Sequence, residues 1–364
     1  MKKLILFLFA WSLTVQLKSN ASNTENIARY YRLVQNAARY TAVNNFSSAI
    51  QAYDSAFAIT KFPFSDDIKN ALYANTSLPA PEEAKILGLL KMLQHRGLCV
   101  HDVYGKNEKY QEYLKKTDEH DCKQVIDPTR KKIIEWAISE DQRPRDSSYN
   151  TYKEVYHPAM MPEIRRVDAN NFATVDSIFT YAKTVGIPVE CLIGSPGFNS
   201  CMIILLHNAG RGRTNKFQLT QLAQKGLIDS RVVAAQWDQY IQRKFASPSL
   251  NKRQAADTVC YKFGDYGNNI LLLSFHGVLI KVPERDCLEK INANRRTLFL
   301  GDAVEEAKLR TYSFYHFKSG FAYPSLNILG VPKEVLEELE AQARKKYKVI
   351  KYENKEDFDF NRGN

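Results

Sequence analysis

The chain has 364 residues, 44% hydrophobic and 25% charged, a balance that excludes a disordered polymer and leaves room for more than one packed unit. Its formal net charge of +11 favours anionic partners. The basic residues are nevertheless dispersed in doublets such as Arg165-Arg166, with one cluster at Arg344-Lys345-Lys346-Tyr347-Lys348, and they do not interleave with aromatics as a nucleic-acid surface requires.

The first 21 residues read as a secretory signal. Lys2 and Lys3 form a positive start, Leu4 to Val15 is apolar but short for a bilayer, and Ser19-Asn20-Ala21 offers small residues for cleavage near Ala21. An uncleaved anchor is the alternative, and no cysteine stands where a lipid anchor needs one. We therefore expect an exported protein, periplasmic or secreted, with no transmembrane segment after cleavage. Cleavage removes three lysines and no acid, taking the charge from +11 to +8. Export permits disulfides among cysteines 99, 122, 191, 201, 260 and 287; proximity favours Cys99 with Cys122 and Cys260 with Cys287, and buried free thiols are the alternative.

From Ile27 to about Ile59 two helices are expected, broken at Asn44-Asn45. Tyr40, Ala49, Tyr53 and Ala56, followed by Pro63, resemble a tetratricopeptide repeat, in which a small residue lets two helices approach while aromatics fill the groove. A degraded second copy would place Ala84, Gly88 and Lys91 in register with Ala49, Tyr53 and Ala56. A generic helical hairpin accounts for the same residues.

A boundary is expected near Asp127-Pro128. Beyond it a helix from Arg130 to Glu140 precedes a polar stretch and a proline-bearing loop over Asp146 to Pro162. The next helix runs from about Pro162 to Val185, with Val175, Ile178, Phe179 and Ala182 on one face, and Gly186 and Pro188 end it. Cys201 to Leu206 reads as a buried helix ending in His207. Phe217 to Lys225 is a further helix, Asp229 caps the one after it, and Phe245 to Thr258 reads as an exposed loop. Ile270 to Phe275 and Val278 to Val282 flank His276-Gly277 as a β-hairpin. Helices return at Ile291 to Arg296, Ala303 to Leu309 and Pro332 to about Lys346, before a polar tail over Lys355 to Asn364.

The islands Asp141-Gln142 with Arg145, Val167-Asp168 with Asn171, Gly186 and Pro188, His207, Asp238, Tyr266-Gly267, Asp286, and Asn292 with Arg295-Arg296 resemble, in order and spacing, a bacterial family known only as domain of unknown function sixty-six twenty-four. The resemblance covers about residues 130 to 310 and implies a mostly helical domain with a small hairpin and no known reaction. Three stations depart from it: Asn208-Ala209-Gly210 where an acid tends to follow the histidine, Gln239 where arginine is common, and Asn268-Asn269 in place of Thr-Gln.

The fold expected is thus mainly α, divided into a signal over 1–21, a tetratricopeptide-like helical region over 27–126, a helical domain over 130–314 with its hairpin near 266–283, and a C-terminal extension over 315–364 with one helix.

Two functions stay open. One is an interaction or scaffold protein that binds a peptide or protein partner through its N-terminal helices, in a groove among Tyr30, Tyr31, Tyr40 and Tyr53. The other is a hydrolytic enzyme in which His207, reached by Asp141, Asp168 or Asp238, serves as general base or metal ligand, Asp168 and Asp238 being the aspartates assigned with it to catalysis. Arg145, Arg295 or Arg296 would then suit an anionic substrate through forked hydrogen bonds, with Asp141, Gln142, Asn171 and Tyr266 as further binding residues. No HExxH, phosphate loop or paired metal motif supports the second reading, and the sequence leaves any cofactor unknown. The same Asp and Arg groups would serve equally as a buried polar network locking helices together.

Overall fold

The computed structural model describes residues 24–118, 125–209, 216–246, 260, 266–274, 276–316, 321, 328–329 and 333–360. The expected signal, most of the loop over 245–258 and the last four residues lie outside them. The fold is mainly α with one small sheet, as expected.

Helices α1 (24–42) and α2 (Phe46–Phe57) are separated where Asn44 adopts a left-handed φ of 59° and Asn45 caps α2, its side chain accepting from the Ser48 amide. Asparagine tolerates both roles, which is why the break falls there. Ala49, Tyr53 and Ala56 are all buried, as a close helix pair requires. Helices α3 (Ser65–Thr76) and α4 (Glu83–Gln94) follow, then short α5 (Val100–Tyr104) and α6 (Glu108–Leu114). On α4, Ala84, Gly88 and Lys91 face solvent while Ile86, Leu89, Leu90 and Leu93 are buried. The residues set in register with Ala49, Tyr53 and Ala56 are therefore on the opposite face of their helix.

Helix α7 (Pro128–Tyr152) starts at the expected place, with Asp127 accepting from the Arg130 amide and Pro128 in the first turn. It does not stop at Glu140. The buried face continues through Asp141, Pro144, Arg145 and Ser148, polar residues at helical spacing, and the helix closes only where Lys153 turns left-handed. The loop expected over Asp146 to Pro162 shrinks accordingly. Helix α8 (Met161–Val185) ends at Gly186, whose φ is 68°.

Helix α9 (Val189–Ala209) is two helical pieces joined at Gly194, where φ 79° and ψ 160° break the spiral. The backbone groups released there find partners outside: the Asp127 amide donates to the Leu192 carbonyl at 2.8 Å, and the Ser195 amide donates to the Arg96 carbonyl at 2.8 Å. Pro196 has no amide to satisfy. Val189–Asn208, with mean hydropathy 1.5, is apolar and long enough to cross a membrane, but 67% of its most apolar stretch is buried within the fold, as in a core helix. Helices α10 (Lys216–Gln224) and α11 (Ser230–Ala246) complete the block, with Asp229 capping α11 through the Arg231 amide.

One hydrophobic core runs from Tyr30 and Val34 through Leu72, Leu90, Ile134, Phe179, Ile193, Ile204 and Leu222 to Leu298. It crosses the Asp127-Pro128 position without interruption. A second cluster lies under the sheet, whose order is β3-β1-β2-β4. Strands β1 (Leu271–Ser274) and β2 (Gly277–Val282) form the expected antiparallel hairpin, with Leu272 opposite Leu279. Strand β3 (Ile328–Leu329) pairs parallel to β1, and β4 (Lys348–Tyr352) pairs antiparallel to β2. Ile270, Val278, Ile280 and Ile350 pack against α12 (Arg285–Thr297) and α13 (Ala303–His316). Helix α14 (Lys333–Arg344) precedes β4, and the tail beyond it is held by Phe358, which packs 5.5 Å from both the Tyr312 and Tyr352 rings. Cys260 is bonded to Cys287, as proximity suggested; Cys99 is also in a disulfide, and Cys191 and Cys201 are free and buried.

Candidate functional site

The first set of expected site residues meets where α7, α8 and α9 pack together. The α7 face presents Asp141 and, one turn later, Arg145; α8 presents Asp168 and Asn171, and the end of α9 presents His207. The His207 Nδ1 lies 2.7 Å from Asp141 Oδ2. Arg145 donates to Asp168 Oδ1 at 2.6 Å, lies 3.3 Å from Asp141 Oδ2 and also donates to the Asp141 carbonyl. Gln142 Nε2 donates to Asp141 Oδ2 at 2.7 Å, and Asn171 Nδ2 to the Ala137 carbonyl at 2.9 Å. Two carboxylates, one guanidinium and one imidazole thus form a single chain of contacts across three helices.

Burial decides what this chain can do. Asp141 and Asp168 are fully buried and Arg145 is 4% exposed, whereas the His207 side chain keeps 15% of its surface. The guanidinium is enclosed between its carboxylates, so it is not free to grip a substrate. The imidazole is the one group with access to solvent, and a carboxylate on Nδ1 fixes which nitrogen points away. Asp141 Oδ1 and Arg145 Nε are buried with no hydrogen-bond partner among the described residues. Tyr156, which sequence reasoning passed over, lies above Arg145 with 5.9 Å from guanidinium carbon to ring centroid.

The remaining expected residues form a different knot. Asp238 on α11 accepts from the Tyr266 amide at 3.0 Å and from the Asn268 amide and side chain at 2.8 Å each. Among the described residues Asp238 therefore bonds to the loop before β1 and not to His207. Arg295 is buried on α12 and donates to the Tyr266 carbonyl at 2.8 Å, to the Gly301 carbonyl and to Glu306. Arg296, one position on, faces solvent. Neither Asp238 nor the arginine pair joins the His207 group; Asp238 and Arg295 hold the loop before the sheet against α12 and α13.

Two buried clusters escaped the sequence reading altogether. In the first, Arg231 on α11 grips Asp67 on α3 with two bonds of 2.7 and 2.8 Å and Asp229 at 2.7 Å. Tyr30 donates to Asp67 at 2.6 Å and accepts from the Phe64 amide at 3.1 Å, while Tyr31 donates to Asp229 at 3.3 Å. Burial and then the neighbouring carboxylate push both phenols well above their ordinary value, so they remain donors. Tyr30, Tyr31 and Tyr53 are at most 3% exposed and Tyr40 is 40% exposed. The groove expected among them is therefore filled core.

In the second cluster, Glu190 in the first turn of α9 reaches across to α3. Helix α3 has Phe64 at its cap position and no capping side chain of its own; Glu190 Oε1 accepts from the Ser65 amide at 3.1 Å and from Ser195 Oγ at 2.8 Å. Ser65 and Ser195 hydroxyls lie 2.8 Å apart. Burial pushes the Glu190 carboxyl up to about 7, against the Ser195 hydrogen bond and the charges of Arg96 and Lys69. Cys201, six residues before His207, is fully buried, and burial raises its thiol well above the usual range, as for a packed thiol.

Among the described residues no group of three or more His, Cys, Asp or Glu side chains is placed to hold a metal ion. Compared with known protein families, curated proteins and solved structures, the chain matches none.

Proposed function

We propose that this chain is an exported interaction protein, a helical scaffold that binds a peptide or protein partner. The observation that carries it is the state of the charged groups an enzyme would need: Asp141, Arg145 and Asp168 are buried and spend their charges on one another. A catalytic carboxylate or anion-binding arginine must face its substrate, and these face each other. They act as a lock among α7, α8 and α9, and the resemblance to the domain family over residues 130 to 310 is taken here as one of scaffold. A surface for contact is also present: Trp136 is 62% exposed, Tyr149 54% and Tyr156 52%, all on α7 or the turn after it. Aromatics of this kind supply most of the energy in protein interfaces.

A second reading keeps one specific support, the solvent access of His207 beside Asp141, which suits a general base. The two are separated by panning the purified mature protein against a random phage-displayed peptide library, in parallel with a set of chromogenic ester and phosphoester probes. Convergence on a peptide consensus supports the scaffold. Turnover that disappears in His207→Ala, with no consensus selected, replaces it with the hydrolase. Export is tested by the mass of the protein recovered outside the cytoplasm, which should lack residues 1–21 and begin at Ser22.

A further inference from the structure

A cavity of about 410 Å³ lies among the N-terminal helices, and none of its described lining residues belongs to the His207 group. Its walls come from the segment before α3 (Lys61, Phe62), the end of α4 (Met92, His95, Arg96) and the approach to α7 (Ile126). Two chemistries meet in it. Phe62, Met92 and Ile126 form an apolar side, and Ile126 is 51% exposed at the surface. Lys61, Arg96 and His95 form a basic side, and none of the described lining residues is acidic.

The basic side is built, not incidental. Arg96 is only 7% exposed, and its guanidinium is held by one bond to the Pro63 carbonyl at 3.3 Å. Its Nε is buried with no hydrogen-bond partner among the described residues, a costly state for a charged donor unless something else meets it. Its main chain is fixed too, because the Arg96 carbonyl accepts the Ser195 amide freed at the Gly194 kink. Lys61 and Arg96 both lie on the Phe62 ring, with 5.4 Å from ammonium nitrogen to centroid and 5.9 Å from guanidinium carbon to centroid, so ring and cations hold one another in place.

We propose that this cavity binds a carboxylate carried on an apolar body, with Lys61 and Arg96 facing the anion and Phe62, Met92 and Ile126 enclosing the body. The inference rests on the interaction reading and names its ligand chemistry. A peptide's own C-terminus with an apolar last residue supplies that chemistry, and so does a free aryl-alkyl carboxylate. Pairing a partly buried arginine and a lysine with a carboxylate gives strong hydrogen bonds, and the apolar wall discriminates against small hydrophilic anions such as acetate.

The test uses the mature protein and ligand-detected NMR or calorimetry with four probes: acetyl-Leu-Phe as the free acid, the same dipeptide as its amide, 3-phenylpropionate, and acetate. The free acid should bind and the amide and acetate should not. Equal binding of 3-phenylpropionate assigns the site to small carboxylates; failure of 3-phenylpropionate with binding of the dipeptide acid assigns it to peptide termini. Lys61→Glu, at an exposed position, should weaken the acid about tenfold or more without moving the melting temperature. Arg96→Lys, which keeps the charge and loses the fork, should weaken it by a smaller factor. Acid and amide binding alike, no binding of either acid, or indifference to Lys61→Glu would overturn the proposal. A peptide consensus from panning that binds Lys61→Glu as well as wild type overturns this cavity alone and leaves the interaction reading standing.

Discussion

Single residues in this fold differ in whether their charge is matched, and that difference is measurable. Glu190 is buried, accepts two hydrogen bonds and titrates near 7 in place of its ordinary 4.5. A carboxyl whose folded value is raised contributes stability that is fully present below about 4.5 and is lost as pH rises through about 7. The loss is about 3 kcal/mol on the usual conversion. Glu190→Gln keeps an acceptor for the Ser65 amide and removes the titration, so denaturant midpoints measured at pH 4.5, 6 and 8 should fall for the wild type and stay comparatively level for the variant. Parallel slopes would show that Glu190 is not the group responsible. The α7–α8–α9 lock makes a contrasting prediction. Arg145→Met leaves Asp141 and Asp168 buried without the cation between them and should cost about 3–5 kcal/mol, whereas His207→Ala removes a partly exposed ring from a carboxylate still held by Gln142 and Arg145 and should cost about 1 kcal/mol. Comparable costs in chemical denaturation would mean that the arginine is no more central to the site than the histidine, and would overturn the lock.

At the scale of elements, the backbone kink in α9 sets how the N-terminal helices meet the rest. Gly194 holds φ 79° and ψ 160°, a region open in practice to glycine alone, and a Cβ there would sit 3.1 Å from both the Arg96 carbonyl and a Val125 methyl. Gly194→Ala should therefore cost about 1–3 kcal/mol, while Gly88→Ala on the solvent face of α4, with nothing within 4 Å, should stabilise by a few tenths to about 1 kcal/mol. Thermal melts of the two variants should move in opposite directions. The kink also marks the limit of what was legible in the chain. Helices whose buried faces are apolar, such as α8 with Val175, Ile178, Phe179 and Ala182, could be read with their glycine stop, and so could the hairpin around His276-Gly277. Helix α7 was read too short because the second half of its buried face is Asp141, Arg145 and Ser148, which no hydrophobic period can reveal. The strand Lys348–Tyr352 was hidden in a basic cluster, since only Ile350 and Tyr352 of its five side chains are buried. Among site residues, Asp168 and Asn171 lie one turn apart on a helix legible in the sequence, whereas Asp141 and Arg145 fall beyond the expected end of α7 and were linked only by the family resemblance. What spacing could not supply was the partner across helices, which is why Asp238 was set beside His207 and why the Asp67–Arg231–Asp229 and Glu190–Ser195 clusters were missed.

At the scale of the whole molecule, the question is whether the helices before Asp127 and the helices after it can exist apart. The packing argues that they cannot. Tyr30, Leu72 and Leu90 share one apolar cluster with Ile134, Phe179, Ile193 and Leu222, so cutting the chain near residue 127 would expose both sides of that cluster. The polar contacts across the same position are as demanding. Arg231 would lose Asp67 and both of the bonds it makes there, Glu190 would lose the Ser65 amide, and Ser195 would lose the Arg96 carbonyl. Each would leave a buried group without its partner at a cost of about 1–3 kcal/mol, more where it is charged, which against a typical net stability of about 5–15 kcal/mol is decisive. Fragments 22–127 and 128–364 produced separately should therefore show no cooperative melting, and mixing them should restore a folded complex seen as recovered amide dispersion by NMR. In the intact protein Arg231→Met should lower one transition for the whole helical body and not a transition confined to one half. Two independent melts, with only one shifted by Arg231→Met, would mean instead that the halves fold alone and that the shared core is an interface between finished domains.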